Sequence, residues 1–63
     1  MKGLPSARKA AGMTQAEFAA IIGVDRSTVT KWERGRAYPS SDKLPEIAAA
    51  LGCTIDDLFA VAS

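Results

Sequence analysis

The sequence predicts an all-α domain, a compact bundle of five short helices. Three observations predict it. Apolar residues recur at three- and four-residue spacings, with no alternating β-branched run that would read as a strand. Capping pairs and glycine stops punctuate the chain at intervals of about one short helix. Alanine is abundant, while aromatic residues make up only 6%. The 63 residues are read as a single domain, 1–63. A chain of this size buries only about 60% of its unfolded surface, which favours short helices around one small core.

The first helix is expected over Pro5–Ala11, with proline in the first turn and Gly12 as its stop. Thr14 and Glu17 form a Thr-x-x-Glu capping box, so the second helix starts at Gln15 and runs to Ile22. Gly23 follows where the chain needs a positive φ. Asp25 is placed to cap a third helix, Arg26–Arg34. After the loop 35–40, the fourth helix begins at Ser41 or Lys43 and ends at Leu51. Pro45 must lie in its first turn, where a missing N–H is harmless. Gly52 stops this helix, and Thr54 with Asp57 repeats the capping logic for a fifth, Ile55–Ala60. The stripes place Leu4, Met13, Phe18, Ala19, Ile22, Val24 and Val29 in the core, with Trp32, Leu44, Ile47, Ala48, Leu51, Ile55 and Leu58.

The second and third helices, joined by the Gly23 turn, read as a helix-turn-helix suited to the DNA major groove. At about 100° per residue, Val29 and Trp32 share the packed side of the third helix. Ser27, Lys31 and Arg34 point the opposite way, with Thr30 and Arg26 beside them. Arg and Lys can donate to guanine or phosphate, and Ser and Thr, Thr28 included, can bond to base edges or phosphates. A polar outer face alone is what any surface helix shows; the two caps, the glycine turn and the apolar spacing together carry the reading.

Net charge is only +1, but it is divided unevenly. Residues 1–36 hold seven cations against three anions, or +4, and residues 37–63 hold one against four, or −3. The basic half coincides with the helix-turn-helix, and local potential decides phosphate attraction. With so small a total, few phosphate contacts per subunit are expected, which favours a dimer on DNA.

Nothing argues for catalysis. There is no histidine, and the single Cys53 has no disulfide partner, so no zinc site, metal, cofactor or nucleophilic dyad is expected, and the chain is read as a non-enzyme. Asp56 and Asp57 are read as acids at a helix N-terminus before a metal site. With no apolar run near 18 residues and no signal peptide, no membrane association is expected and a cytoplasmic location is.

Thr14-Gln15 through Trp32-Glu33-Arg34-Gly35, followed by Tyr38-Pro39-Ser40, resembles the lambda-type phage repressor and Cro family, also called XRE-type. The likeness extends to Arg8-x-x-x-Gly12-Met13 and to Ala48-Ala49-Ala50-Leu51-Gly52 with Ile55-Asp56-Asp57-Leu58. The resemblance implies a lambda repressor-like DNA-binding domain. It further implies that Gln15 contacts phosphate and braces the recognition helix, that Arg26, Ser27 and Lys31 read bases, and that Arg34 and Arg36 contact the backbone. Arg8 and Glu33 match an internal ion pair. Two departures stand out: Asp25 occupies a position where relatives often carry Ser or Thr near a phosphate, and Ala20 and Ile21 are apolar where relatives carry polar groups.

The leading reading is a sequence-specific regulator of transcription on double-stranded DNA, a repressor that binds an inverted-repeat operator as a homodimer. The alternative is an antitoxin-type or other interaction module that binds a partner protein through Ile21, Phe59 or Val61 and regulates its own gene. The fifth helix and its tail carry more apolar side chains than one face can bury, so Phe59 and Val61 are the expected dimer contacts. Closure of the core by Phe59 is an equal reading.

Overall fold

The computed structural model describes residues 1–59 as five helices: α1 Gly3–Ala10, α2 Gln15–Ile22, α3 Arg26–Glu33, α4 Lys43–Leu51 and α5 Ile55–Phe59. Among the described residues all regular structure is helical, and none of the helices is long and apolar enough to cross a membrane. The all-α fold with a helix-turn-helix is thus the one the sequence predicts. α2 packs on α3, α1 on α3 and α5, and α4 on α2 and α5.

The capping box opens α2. Thr14 Oγ1 accepts the Glu17 N–H at 3.1 Å, and Glu17 Oε1 accepts the Thr14 N–H at 2.9 Å. The Thr14 backbone N–H, and after it the hydroxyl, hold the Glu17 carboxyl below its ordinary 4.5. A carboxyl depressed by folding contributes its stability above the unfolded value and loses it as pH falls through the folded one. Melting the protein from about pH 6 to about pH 3 beside Glu17→Gln should therefore show a steeper acid loss in the parent. Parallel curves would mean that the box does not titrate with folding.

Gly23 closes α2 at φ +82°, its N–H on Ala19 O at 2.8 Å, a conformation that spares glycine the cost of a Cβ. α3 begins at Asp25 in the extended N-cap conformation, but the expected side-chain cap is not made. The Asp25 carbonyl instead takes the Thr28 N–H at 3.0 Å, one of the two donors its carboxylate could have used. The second box does form: Thr54 Oγ1 accepts the Asp57 N–H and Asp57 Oδ2 the Thr54 N–H, both at 3.1 Å.

Three boundaries differ from expectation. α1 starts at Gly3, two residues before Pro5, because first-turn N–H groups have no i−4 carbonyl within the helix, so proline at the third position costs no helical bond. α1 ends at Ala10, one residue early, with Ala11 as its C-cap. Arg34 is the C-cap of α3, not its last residue. Ala60, the expected end of α5, and Val61 lie outside the described residues.

Leu4, Phe18, Val29, Ile47 and Leu58 are completely buried, with Ala19, Ile22, Trp32, Ala48 and Leu51 around them. Met13, Val24 and Leu44 pack against this cluster half-buried. Ile55, expected in the core, is 38% exposed. α5 docks through Leu58 and through its backbone at Asp57, which comes up against Gly3, and its first residue is left at the margin. Met1, unforeseen, is buried, and its amino group donates to Trp32 O at 3.1 Å. Cys53 is half-buried; burial, and secondarily the Asp57 carboxylate, push its thiol above the ordinary 9.0, so it is held protonated.

Candidate nucleic-acid interface

The outward face of α3 follows from its inward one. Val29 and Trp32 fix the helix against the core, so Arg26, Ser27, Lys31 and Arg34 are left exposed on the far side. The chain turns back at Gly35, and the Arg36 N–H donates to Lys31 O at 2.9 Å, returning a further cation to that side. Arg26, Ser27, Thr30, Lys31, Arg34 and Arg36 together line one shallow depression. Four cations and two hydroxyls therefore share a single concave surface, whose cations and Ser27 hydroxyl can donate to phosphate oxygens and to base-edge acceptors.

The remaining predicted residues sit elsewhere. Thr28 is half-buried, within about 40° of Trp32 around the helix, and does not line the depression. Gln15, half-buried at the start of α2, lies behind it. Its Nε2 donates to Glu33 Oε1 at 2.9 Å, and its Oε1 accepts from the Thr30 hydroxyl at 3.0 Å. Phe59 is 45% exposed on α5, away from the basic face. Tyr38, to which the sequence assigned no role, is exposed in the loop after α3, its hydroxyl near Gly35.

Behind the depression lies a buried polar network. Arg8 Nε donates to Glu33 Oε2 at 2.7 Å, Arg8 Nη2 reaches Glu33 Oε1 at 3.5 Å, and Arg8 Nη1 donates to Met13 O at 2.7 Å. The two side chains of the pair are only 10% and 8% exposed. Among the described residues no buried side-chain polar atom lacks a partner. Arg8 is thus committed to internal structure and does not add to the basic face. Lys43 is engaged as well, with Nζ 3.4 Å from Ile22 O at the end of α2.

Comparison with known sequences matches residues 6–58 to the helix-turn-helix family. The chain belongs to that family. Within the family, the helix-turn-helix is 40% identical over 55 residues to the cryptic phage CTXphi transcriptional repressor RstR of Vibrio cholerae, covering 87% of this chain and 49% of that protein. It is 34% identical over 56 residues to the HTH-type transcriptional activator BcrR of Enterococcus faecalis, covering 89% of this chain and 28% of that protein. An uncharacterized HTH-type transcriptional regulator of Methanothermobacter thermautotrophicus is 45% identical over 53 residues, 82% of this chain and 77% of its own. The chain thus spans half or less of the length of the two named regulators.

Proposed function

We propose that this domain binds double-stranded DNA sequence-specifically and regulates transcription, acting in the cytoplasm as a repressor that occupies an inverted-repeat operator as a homodimer. The observation that carries the reading is the α3 face, where Arg26, Ser27, Lys31, Arg34 and Arg36 meet in one depression while the apolar side of the helix is locked into the core. Family membership supports it, as does the similarity to one named repressor and one named activator, whose shared part is this helix-turn-helix. Arg26, Ser27 and Lys31 are assigned to bases in the major groove, and Gln15, Arg34 and Arg36 to phosphates. Thr28, half-buried off that surface, is left without a DNA contact. Asp25 is exposed next to Arg26 without a capping bond, so its charge would disfavour phosphates at that edge.

The homodimer reading rests on α5, where Ile55 and Phe59 are partly exposed. The longest dimension of the domain is 28 Å. Two copies side by side can therefore set their recognition helices about 34 Å apart, one turn of DNA. Phe59→Ala should shift the protein towards monomer and weaken operator binding without lowering its melt; sedimentation beside circular dichroism checks this, and an unfolded variant would return Phe59 to the core. A partner-protein reading is supported by Ile21, 59% exposed on α2, and shares the exposed Phe59 with the homodimer reading; co-purification of a second protein would be its sign.

Selection of bound duplexes from a random pool, at stated salt, tests DNA binding. On the selected site Arg26→Ala should cost about 1–3 kcal/mol and relax specificity at one base position. Arg34→Ala should weaken all sequences alike and lower the salt slope by about one. An equal loss on every sequence for Arg26→Ala would demote it to a phosphate contact.

A further inference from the structure

Thr30 lines the depression, yet its hydroxyl is already engaged. Oγ1 stands 3.0 Å from Gln15 Oε1 and 3.2 Å from the Arg26 carbonyl, one turn back along α3. Both neighbours are acceptors, and a hydroxyl has one hydrogen to give. The identity of the Gln15 oxygen follows from its other end: the amide meets the Glu33 carboxylate at 2.9 Å, and a carboxylate only accepts, so the nitrogen must face Glu33 and the oxygen Thr30. Glu33 is in turn locked by Arg8 at 2.7 Å. A chain of bonds thus runs from the buried ion pair through Gln15 to a hydroxyl on α3, crossing from α2 in two places.

We propose that Thr30 donates to no base and is a positioning residue: its hydroxyl holds the Gln15 amide in one orientation, so that the amide N–H not given to Glu33 is presented to a DNA phosphate. The inference rests on the DNA-binding reading above and deepens it. A base acceptor that approached Thr30 would have to compete with two oxygens already sharing its proton. The Gln15 amide, held at both ends, loses little further rotational freedom when it meets phosphate.

Thr30→Val keeps the side-chain shape and deletes the donor, Thr30→Ser keeps the donor, and Gln15→Ala removes the amide. In the free protein, the Gln15 side-chain amide resonances should move towards the unbonded position in Thr30→Val and stay in place in Thr30→Ser. Thr30→Val should weaken binding to the selected duplex and to a scrambled one by the same factor, about three- to tenfold, while Thr30→Ser stays within about twofold. The double variant Thr30→Val/Gln15→Ala should bind no more weakly than Gln15→Ala alone. A loss confined to the selected duplex would make Thr30 a base reader and overturn the proposal, as would additive losses in the double variant. Unmoved Gln15 resonances in Thr30→Val overturn the positioning alone, whereas a parent domain that binds neither duplex overturns the DNA-binding reading beneath it.

Discussion

Truncating either Arg8 or Glu33 to alanine should cost about 3–5 kcal/mol, because each change strands the opposite charge in a site that excludes water. Without Arg8, the Glu33 carboxylate keeps only the Gln15 amide at 2.9 Å; without Glu33, the guanidinium keeps only the Met13 carbonyl at 2.7 Å. Stabilities of roughly 0.05–0.15 kcal/mol per residue give a domain this small about 3–9 kcal/mol, so the loss takes a third of it or more. The pair joins α1 to the end of α3, so its loss also loosens the helix that presents the basic face. Urea denaturation of both single variants and the double variant is the check. The double should lose clearly less than the sum of the singles, since removing both charges leaves neither stranded; additive losses would show that the two groups are not coupled.

Gly3→Val should be the next most damaging change, at about 3 kcal/mol, the upper end of overpacking penalties. A Cβ built on Gly3 would overlap the Asp57 carbonyl oxygen and stand 3.0 Å from the Leu58 carbonyl carbon. These obstacles are backbone atoms of α5, which cannot rotate away as a side chain would. α5 must therefore lift off α1, exposing the completely buried Leu4 and Leu58. Gly3→Ala meets the same obstruction but gains up to about 1 kcal/mol of helix propensity, so a smaller loss is expected from it. Thermal unfolding of the two variants separates the terms: a melt for Gly3→Val equal to that of the parent would mean that α5 is not seated on Gly3.

The reach of the sequence followed the range of the interactions. α2 was legible to the residue because its signals are local, a Thr14–Glu17 box at one end and Gly23 at φ +82° at the other. The outward set on α3 was legible because helical periodicity, once Val29 and Trp32 are placed inward, settles which residues remain outside. What the residues alone did not reveal depends on contacts between distant segments. Gly3 fell outside the expected first helix, Pro5–Ala11, and only the approach of Asp57 explains its place. Ile55 and Leu58 carry equal hydrophobic weight in the pattern, and docking at Leu58 decides which is covered. Asp25 matched a capping position, but at the start of α3 its carbonyl takes the Thr28 N–H and its carboxylate makes no cap. The Arg8–Glu33 pair came from family resemblance, whereas the Thr30–Gln15 bond joins residues 15 positions apart and had no sequence signature.

Nitrogen–proton correlation spectra recorded during titration with a short duplex at low salt show whether the α3 face meets DNA. Resonances of Arg26, Ser27, Lys31, Arg34 and Arg36, with the Gln15 side-chain amide, should shift together and return as salt is raised, while α4 stays still. Shifts confined to Ile21 or to α5, or none at any duplex concentration, would mean that the α3 face does not bind DNA.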